Sequence, residues 1–398
     1  MANLSRSNAQ AAVMSLLDDG LEQRLNLPTE EGSALPNAAY TSQAFFDIEQ
    51  QTVFRGTWVF AGFVHQLPDS GDMLPVEIAG QPLLLIKGED SVIRTFHNVC
   101  RHRGAILIDQ PQHGRKNIVC PNHSWSYTLQ GKLKARPHYF GGGKHDSNRE
   151  DRHRADLAEI SCETWFDWVF VNISGDAEPL SRYVAPISER LEGYDFSELH
   201  FSSAMEFDLN ANWKLAIENF IEPYHVFSCH PWLNEFVGMD ERLPPEFDRH
   251  VLSCGYQFQK TDPARGGSLP HFPNLPADKI NRGDWYVLFP NFALELFPDQ
   301  VDVFIATPVA PDRCRETIAL YFVGEGALSE KYDGAREHVT QNWHDLNTED
   351  IGIIERMQSG RASEGFDGGV LSPYWDPVQQ HFGRLIYGAV KELKDNNY

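Results

Sequence analysis

Residues 99–105 read Val-Cys-Arg-His-Arg-Gly-Ala, and residues 119–127 read Val-Cys-Pro-Asn-His-Ser-Trp-Ser-Tyr. Each stretch offers one thiolate and one imidazole: Cys100 with His102 and then, after 17 intervening residues, Cys120 with His123. The sequence around them has the texture of short strands. Residues 83–87 and 92–99 are rich in β-branched and aromatic side chains and are joined by the turn-forming Gly88-Glu89-Asp90-Ser91. Residues 124–128 and 132–136 flank a second turn at Gln130-Gly131. Both Cys/His pairs thus fall at hairpin tips, where two loops can close on one centre. Thiolate is a soft ligand, and two thiolates with two imidazoles narrow the choice to zinc or an iron-sulfur cluster. A Cys2His2 zinc finger puts its two Cys on one element and its two His on another, whereas here each loop carries one of each.

Outward from this region the composition is that of an ordinary folded chain. The 398 residues carry 34 Lys and Arg against 56 Asp and Glu, a net charge of -22, with 41% hydrophobic residues. Such a length allows two or three domains with real cores. The acidity excludes a nucleic-acid partner, which wants clustered Lys and Arg. A mean hydropathy of -0.41, with no apolar run near the roughly 18 residues a bilayer span needs, excludes a membrane reading. Met1 to Gly20 has a short apolar patch interrupted by Asp18 and Asp19, unlike a secretory signal, so the expected location is the cytoplasm. Six Cys are too few for a disulfide scaffold, and Cys162, Cys229, Cys254 and Cys314 are expected to be free thiols.

The pattern divides the chain in three. Residues 1–40 read as a helix with Leu16, Leu17, Leu21 and Leu25, stopped near Pro28, followed by a loop. Residues 41–165 read as the β domain that holds the Cys and His pairs, with a further strand at 58–64 and an apolar one at 165–173. Residues 166–398 read as a second, mixed domain. It has expected helices near 180–191, 213–225, 329–346, 348–358 and 376–394, and strands near 201–209, 251–259, 285–297, 301–307 and 315–323. Strands in runs with helices to one side make the fold class α+β. Residues 261–279, rich in Pro and Gly, form a long loop, either a lid over a site or a plain surface loop.

Two loops that each carry one Cys and one His are what a Rieske [2Fe-2S] centre needs, because one iron takes both Cys and the other both His. Cys100-Arg-His102-Arg-Gly, Cys120-Pro-Asn-His123-Ser-Trp-Ser-Tyr and Gly131 resemble the Rieske box of the ring-hydroxylating oxygenase α subunits. Asn122 stands where that family usually has an aromatic residue, and Ser124 where it has Gly or Ala. The four ligands are intact, so these departures bear on tuning of the cluster.

Downstream, Trp213-Lys214 leads into Glu218-Asn219-Phe220-Ile221-Glu222-Pro223-Tyr224-His225, with His230-Pro231 to follow. Glu222 and His225 share one face of a helical turn. His225 and His230 are five apart, which a straight helix does not align, so the chain must bend between them, as Pro223 and Pro231 allow. Two His and one carboxylate, with positions left open, form the facial triad of non-heme Fe(II) oxygenases. Alone, the His pair is weak evidence. The resemblance adds to it, because the same family has an acidic-x-Tyr-His-x4-His segment downstream of its cluster. It implies that the third ligand is Asp350, in Asn347-Thr348-Glu349-Asp350-Ile351 ahead of Gln358-Ser359-Gly360, with Glu349 the neighbour able to replace it. It also places Glu222 and Asn219 among the catalytic residues. Glu222 would hold His225 and reach His102 or His123 of the adjacent subunit's cluster, so that a lone monomer would be inactive.

The resemblance implies a Rieske domain followed by a helix-grip (START-like) catalytic domain, holding a [2Fe-2S] cluster and a mononuclear Fe(II). Such a terminal oxygenase, usually a homotrimer, uses O2 to hydroxylate or oxidatively demethylate a small organic substrate. The chain has no Gly-x-Gly-x-x-Gly fingerprint and no ferredoxin Cys spacing, so its electrons must come from a separate NAD(P)H-dependent reductase, with or without a ferredoxin. Trp285, Tyr286, Phe289, Phe292, Phe297 and the sequence up to Thr307 are expected to line the cavity, stacking on an aromatic ring or caging a quaternary ammonium. Leu371-Ser372-Pro373 and Gln380-His381-Phe382 look similar to the homotrimeric branch, which includes choline, betaine and carnitine oxygenases as well as aromatic-acid oxygenases. Both substrate classes, and mono- versus dioxygenation, stay open. The rival reading is a ligand-binding helix-grip protein with structural zinc at the four Cys and His.

Overall fold

The computed structural model describes residues 13, 17, 19–146 and 152–395. The chain forms two compact units, one of residues Phe54–Tyr183 and one made of Met1–Val53 together with Val184–Tyr398. These boundaries differ from the 40/41 and 165/166 read from the sequence.

The first unit is built on a six-stranded antiparallel sheet. Its strands are β1 (Val59–Phe63), β2 (Met73–Ile78), β3 (Gln81–Lys87), β4 (Ile93–His97), β8 (Glu159–Trp165) and β9 (Trp168–Asn172), in the order β1-β9-β8-β4-β3-β2. Three shorter strands, β5 (Ile118–Val119), β6 (Ser126–Tyr127) and β7 (Leu133–Ala135), form a second sheet. The segment expected as one strand at 165–173 is a hairpin that turns at Phe166-Asp167, and β9 pairs with β1, which draws residues up to 183 into this unit. β2 was not anticipated because of Pro75. It lies at the sheet edge, where a proline is tolerated. Ala79 and Gly80 both take positive φ in the tight turn to β3. Met73, Leu84, Ile86 and Phe96 pack with Cys100, Cys120, Trp125 and Tyr127 in one apolar core. Gly131, at φ +75, brings its backbone against the Phe96 ring, where a Cβ would lie 2.4 Å away.

The second unit is a seven-stranded antiparallel sheet with helices, the helix-grip arrangement expected from the sequence. Its strands are β10 (Leu199–Leu209), β11 (Arg242–Asp248), β12 (Val251–Gln257), β13 (Arg282–Leu288), β14 (Phe292–Leu296), β15 (Gln300–Ala310) and β16 (Arg313–Val323), in the order β10-β16-β15-β14-β13-β12-β11. β11, again an edge strand and again carrying prolines, escaped the sequence reading. Register sets Glu316 opposite Ala306, Asp302 opposite Glu295, Glu295 opposite Trp285, Trp285 opposite Cys254 and Tyr256 opposite Arg242. Since paired residues share a face, one face carries Glu316, Phe304, Glu295, Trp285, Tyr256 and Arg242.

Helix α1 (Asp19–Asn26) continues a buried row of Leu17, Leu21 and Leu25; Leu16 lies outside the described residues. Residues 43–56, read from the sequence as the start of the β domain, are helical (α2, Gln43–Gly56). Phe45, Ile48, Glu49 and Val53 on this helix are buried, and the Glu49 carboxylate meets the Lys214 ammonium at 2.7 Å, both fully buried. That pair ties residues before 54 to helix α3 (Trp213–Ile221), which starts on the Asn212 side chain as its cap. The two helices expected at 329–346 and 348–358 are one, α4 (Asp333–Gly360). The helix expected at 180–191 is two single turns, Leu180–Tyr183 and Ala185–Ser188. The final helix, α5, spans Pro377–Asp395. In the 261–279 loop Asp262, Ala264, Arg265, Leu269 and Phe272 are buried, so much of it is packed rather than a free surface loop. No helix among the described residues is long and apolar enough to cross a membrane.

Candidate functional site

The two Cys/His loops repeat one backbone design. Cys100 N donates to Ala105 O and Gly104 N to Cys100 O; Cys120 N donates to Trp125 O and Ser124 N to Cys120 O. Gly104 and Ser124 therefore hold equivalent positions, and both have positive φ, +73 and +55. Ser124 takes up a left-handed conformation that glycine would adopt more easily. Cys100 and Cys120 are buried, whereas His102 and His123 are exposed. The two imidazoles lie 4.8 Å apart, and His102 stacks on Trp125 at 4.7 Å. The Tyr127 hydroxyl accepts from Arg101 N–H at 3.2 Å, which leaves its own proton for Cys100 Sγ at 3.3 Å. Desolvation, then the neighbouring His123 and Arg103, hold the His102 pKa below its ordinary value. The two thiols and two imidazoles that the sequence singled out are thus presented together, the donor set that a Rieske cluster requires.

The second donor set is in the helix-grip unit. Helix α3 ends at Ile221, and the chain bends through Glu222-Pro223 before the short turn Val226–Cys229. The bend brings His225 and His230 together although they are five apart in sequence. Ring nitrogens of both and a carboxylate oxygen of Asp350 all lie within 4.8 Å of one another. His230 Nε2 is 2.8 Å, and His225 Nε2 3.4 Å, from the same Asp350 Oδ1. Each ring is braced from behind: His225 Nδ1 by Glu222 Oε1 at 2.9 Å, His230 Nδ1 by Glu349 Oε2 at 2.5 Å. A carboxylate behind each ligating imidazole is the usual support in a metal site. Burial alone would lower the His225 pKa, but the hydrogen bonds its ring donates to Asp350 and Glu222 outweigh it and push the group up to about 10. The same bonds, opposing desolvation, hold Asp350 well below the ordinary carboxylate range. Three donors from a 2-His-1-carboxylate set, converging in one pocket, fit a mononuclear iron.

Comparison with known proteins agrees with both sets. Residues 57–140 match the model of the Rieske [2Fe-2S] domain, and residues 196–391 match that of the ring hydroxylating alpha subunit, catalytic domain. The chain belongs to the Rieske ring-hydroxylating oxygenase α subunits. It is 25% identical over 344 residues to the carnitine monooxygenase oxygenase subunit of Escherichia coli K12, covering 85% of this chain and 87% of that one. Over 226 residues it is 32% identical to the glycine betaine monooxygenase oxygenase subunit of Pseudomonas aeruginosa, 56% of this chain and 51% of that one. A solved quaternary ammonium Rieske monooxygenase has the same fold, with a TM-score of 0.78 at 20% identity over 92% of this chain and 98% of that one. As a Rieske oxygenase subunit the protein is an oxidoreductase whose cofactors are a [2Fe-2S] cluster and a mononuclear non-heme iron.

Beside the His225, His230 and Asp350 triad of this oxygenase lies a cavity with about 720 Å³ of atom-free space. Asn219, Phe220 and Glu222 line it from α3 and its end, Trp285 and Phe304 from the sheet. Phe220 and Phe304 stack at 4.8 Å. Of the expected aromatic wall, Trp285 and Phe304 reach the cavity, whereas Tyr286, Phe289, Phe292 and Phe297 are buried elsewhere. Alternation along β13 sends Tyr286 to the opposite face from Trp285. The sequence reading missed four charged cavity residues: Arg242, Arg265, Glu295 and Glu316. A usable signal was present, since Glu316 shares its strand periodicity with Cys314, Ile318 and Leu320, and a lone charge in an apolar row asks for a reason.

Proposed function

We propose that Cys100, His102, Cys120 and His123 hold the cluster and that His225, His230 and Asp350 hold the iron. On this reading the protein is the terminal component of an oxygenase that hydroxylates, or oxidatively demethylates, a small quaternary ammonium or aromatic substrate. The convergence of two imidazole Nε2 atoms on one carboxylate oxygen, each braced behind by its own acid, carries the reading. When bound, the two iron centres supply the electrons and the open coordination that O2 needs. The protein's part is positional. Glu222 and Glu349 each accept an Nδ1 proton, which fixes the tautomer and aims the Nε2 lone pair at the metal position. Asp350 contributes the anion. Phe220 and Phe304 give the cavity a dry wall, and Asn219 adds a polar group to it.

Glu222 also carries a second duty in this reading. Its Oε2 accepts the N–H groups of Tyr224 and His225. A carboxylate has about four acceptor sites, so it can take one more donor, a cluster histidine of a neighbouring subunit in a homotrimer. Electrons come from a separate NAD(P)H-dependent reductase, with or without a ferredoxin, in the cytoplasm. The net charge of -22 suits docking to a basic patch on that partner, which a steep fall of coupled turnover with salt will register. The deciding experiment is iron and sulfide analysis with electron paramagnetic resonance, followed by 18O2 turnover with a surrogate reductase. The expected result is a red-brown protein with a Rieske signal and 18O in the product; a colourless zinc protein that takes up no O2 supports the rival instead.

A further inference from the structure

The cavity contains more charge than the iron site uses. Arg265 and Glu295 compensate each other at 2.8 Å. Arg242 and Glu316 have no such counterpart. Arg242 is 5% exposed, its one hydrogen bond is a long one of 3.4 Å to Val237 O, and its Nε has no partner. Glu316 is 1% exposed; one carboxylate oxygen accepts from Asn347 Nδ2 at 2.8 Å, and the other has no partner. Burying Arg242 without a counter-charge is costly unless an anion arrives, and burial pushes the Glu316 carboxyl up to about 8, a cost that a cation placed beside it relieves. Both residues line the cavity beside the triad, and by register they sit on the same sheet face but on different strands, β11 and β16. Asn347, which holds Glu316, precedes Asp350 by one helical turn, so the acidic end of the cavity is at the metal position. A smaller pocket shares Arg242 and Arg265 and adds Lys260 and Asp262.

We propose that Arg242 and Glu316 are the two specificity-determining anchors of a zwitterionic substrate, Arg242 taking its carboxylate and Glu316 its cationic nitrogen. This rests on the oxygenase reading and narrows it, since it chooses a betaine-like amino acid over a neutral arene, a diamine or an ammonium alcohol. The aromatic side chains between the anchors, Trp285, Tyr256 and Phe304, pack against the methylene and N-methyl groups. With the nitrogen at the Glu316 end, the N-bound carbons are the part presented to the triad. A planar guanidinium suits a carboxylate because it can donate two parallel bonds.

The test is anaerobic titration calorimetry on the iron-loaded protein. The ligands are a series of trimethylammonio carboxylates of increasing chain length, with choline, benzoate and putrescine as single-feature controls. One zwitterion is expected to bind at least about tenfold tighter than any control. R242M should then weaken that zwitterion by about 30-fold or more and leave choline unchanged, with R242K recovering part of the loss. E316Q, which keeps the shape and the bond from Asn347, should weaken the zwitterion and choline together and leave benzoate unchanged. Should R242M fail to accumulate as folded protein, E316Q decides by the same criterion. Controls that bind as tightly as every zwitterion, or variants that bind it as the parent does, overturn the proposal. Iron content and the Rieske signal of the same samples judge the oxygenase reading separately: both present with no zwitterion preference sinks the anchors alone, and both absent with the preference intact sinks the oxygenase alone.

Discussion

The protein presents two pairs of imidazoles in opposite ways. His102 and His123 stand exposed at loop tips and lean on each other and on Trp125, and no carboxylate pairs with either among the described residues. His225 and His230 are withdrawn into the helix-grip unit, each clamped between two acids. The pKa directions follow: His102 is pushed down, first by desolvation and then by its cationic neighbours, while the carboxylates raise His225 to about 10 in spite of burial. The exposed pair is built to be reached by something outside its own unit. The clamped pair is built to hold one orientation, and a metal must displace a proton to enter it.

The strongest way to break this contrast is to remove one donor from each set. Cys100→Ser should abolish the visible absorption and the Rieske signal. His225→Ala should keep both, and lose mononuclear iron and coupled turnover by more than about a thousandfold, the order of loss when a group central to a catalytic set is removed. Full substrate-dependent O2 consumption by His225→Ala would show that the site is misassigned. Next in size is the Glu49–Lys214 pair. Lys214→Met strands a buried carboxylate, so the helix-grip transition in calorimetry should lose about 3–5 kcal/mol while the transition of the cluster unit stays in place.

Smaller again is Glu349→Gln. The brace behind His230 weakens, and iron affinity measured by chelator competition should fall about 10- to 100-fold with no change in the cluster. The finest adjustment is Tyr127→Phe. Removing the hydrogen bond to Cys100 Sγ costs about 1 kcal/mol, so the cluster potential should drop by about 40 mV in protein-film voltammetry, with the mononuclear site untouched. A potential that stays still would mean the hydroxyl only supports the Arg101 backbone.

Every donor but Asp350 could be read from local spacing, because these donors lie in short motifs whose spacing is fixed by local turns. Cys100 with His102, Cys120 with His123, and His225 with His230 each sit within one loop. The division of labour between Glu349 and Asp350 could not be read that way. Adjacent residues on a helix point about 100° apart, and which of them faces His230 Nε2 and which its Nδ1 depends on how α4 meets the bend after α3. The same holds for Arg242 and Glu316, which are 74 residues apart and come to one face only through strand pairing. Strands at the two sheet edges, β2 and β11, were hidden by their prolines. Helix α2 was hidden because Phe45, Phe46, Ile48, Val53 and Phe54 suit a strand as well as a helix, and its partner, Lys214, is far away in sequence.

That distance has a consequence for how the protein is made. Glu49 and Lys214 are separated by 165 residues, and the whole cluster unit is encoded between them. At a synthesis rate of about 5–20 residues per second, α2 leaves the ribosome roughly ten to thirty seconds before its partner exists. During that interval Phe45, Ile48 and Val53 have only the first 53 residues of their own unit beside them, without the sheet and helices of residues 184–398, while the β sheet that follows is already complete enough to fold. Expression of this chain should therefore depend on whatever shelters an apolar helix at the ribosome exit, and slow translation ahead of residue 214 should lower the yield of the helix-grip unit before it affects the cluster unit.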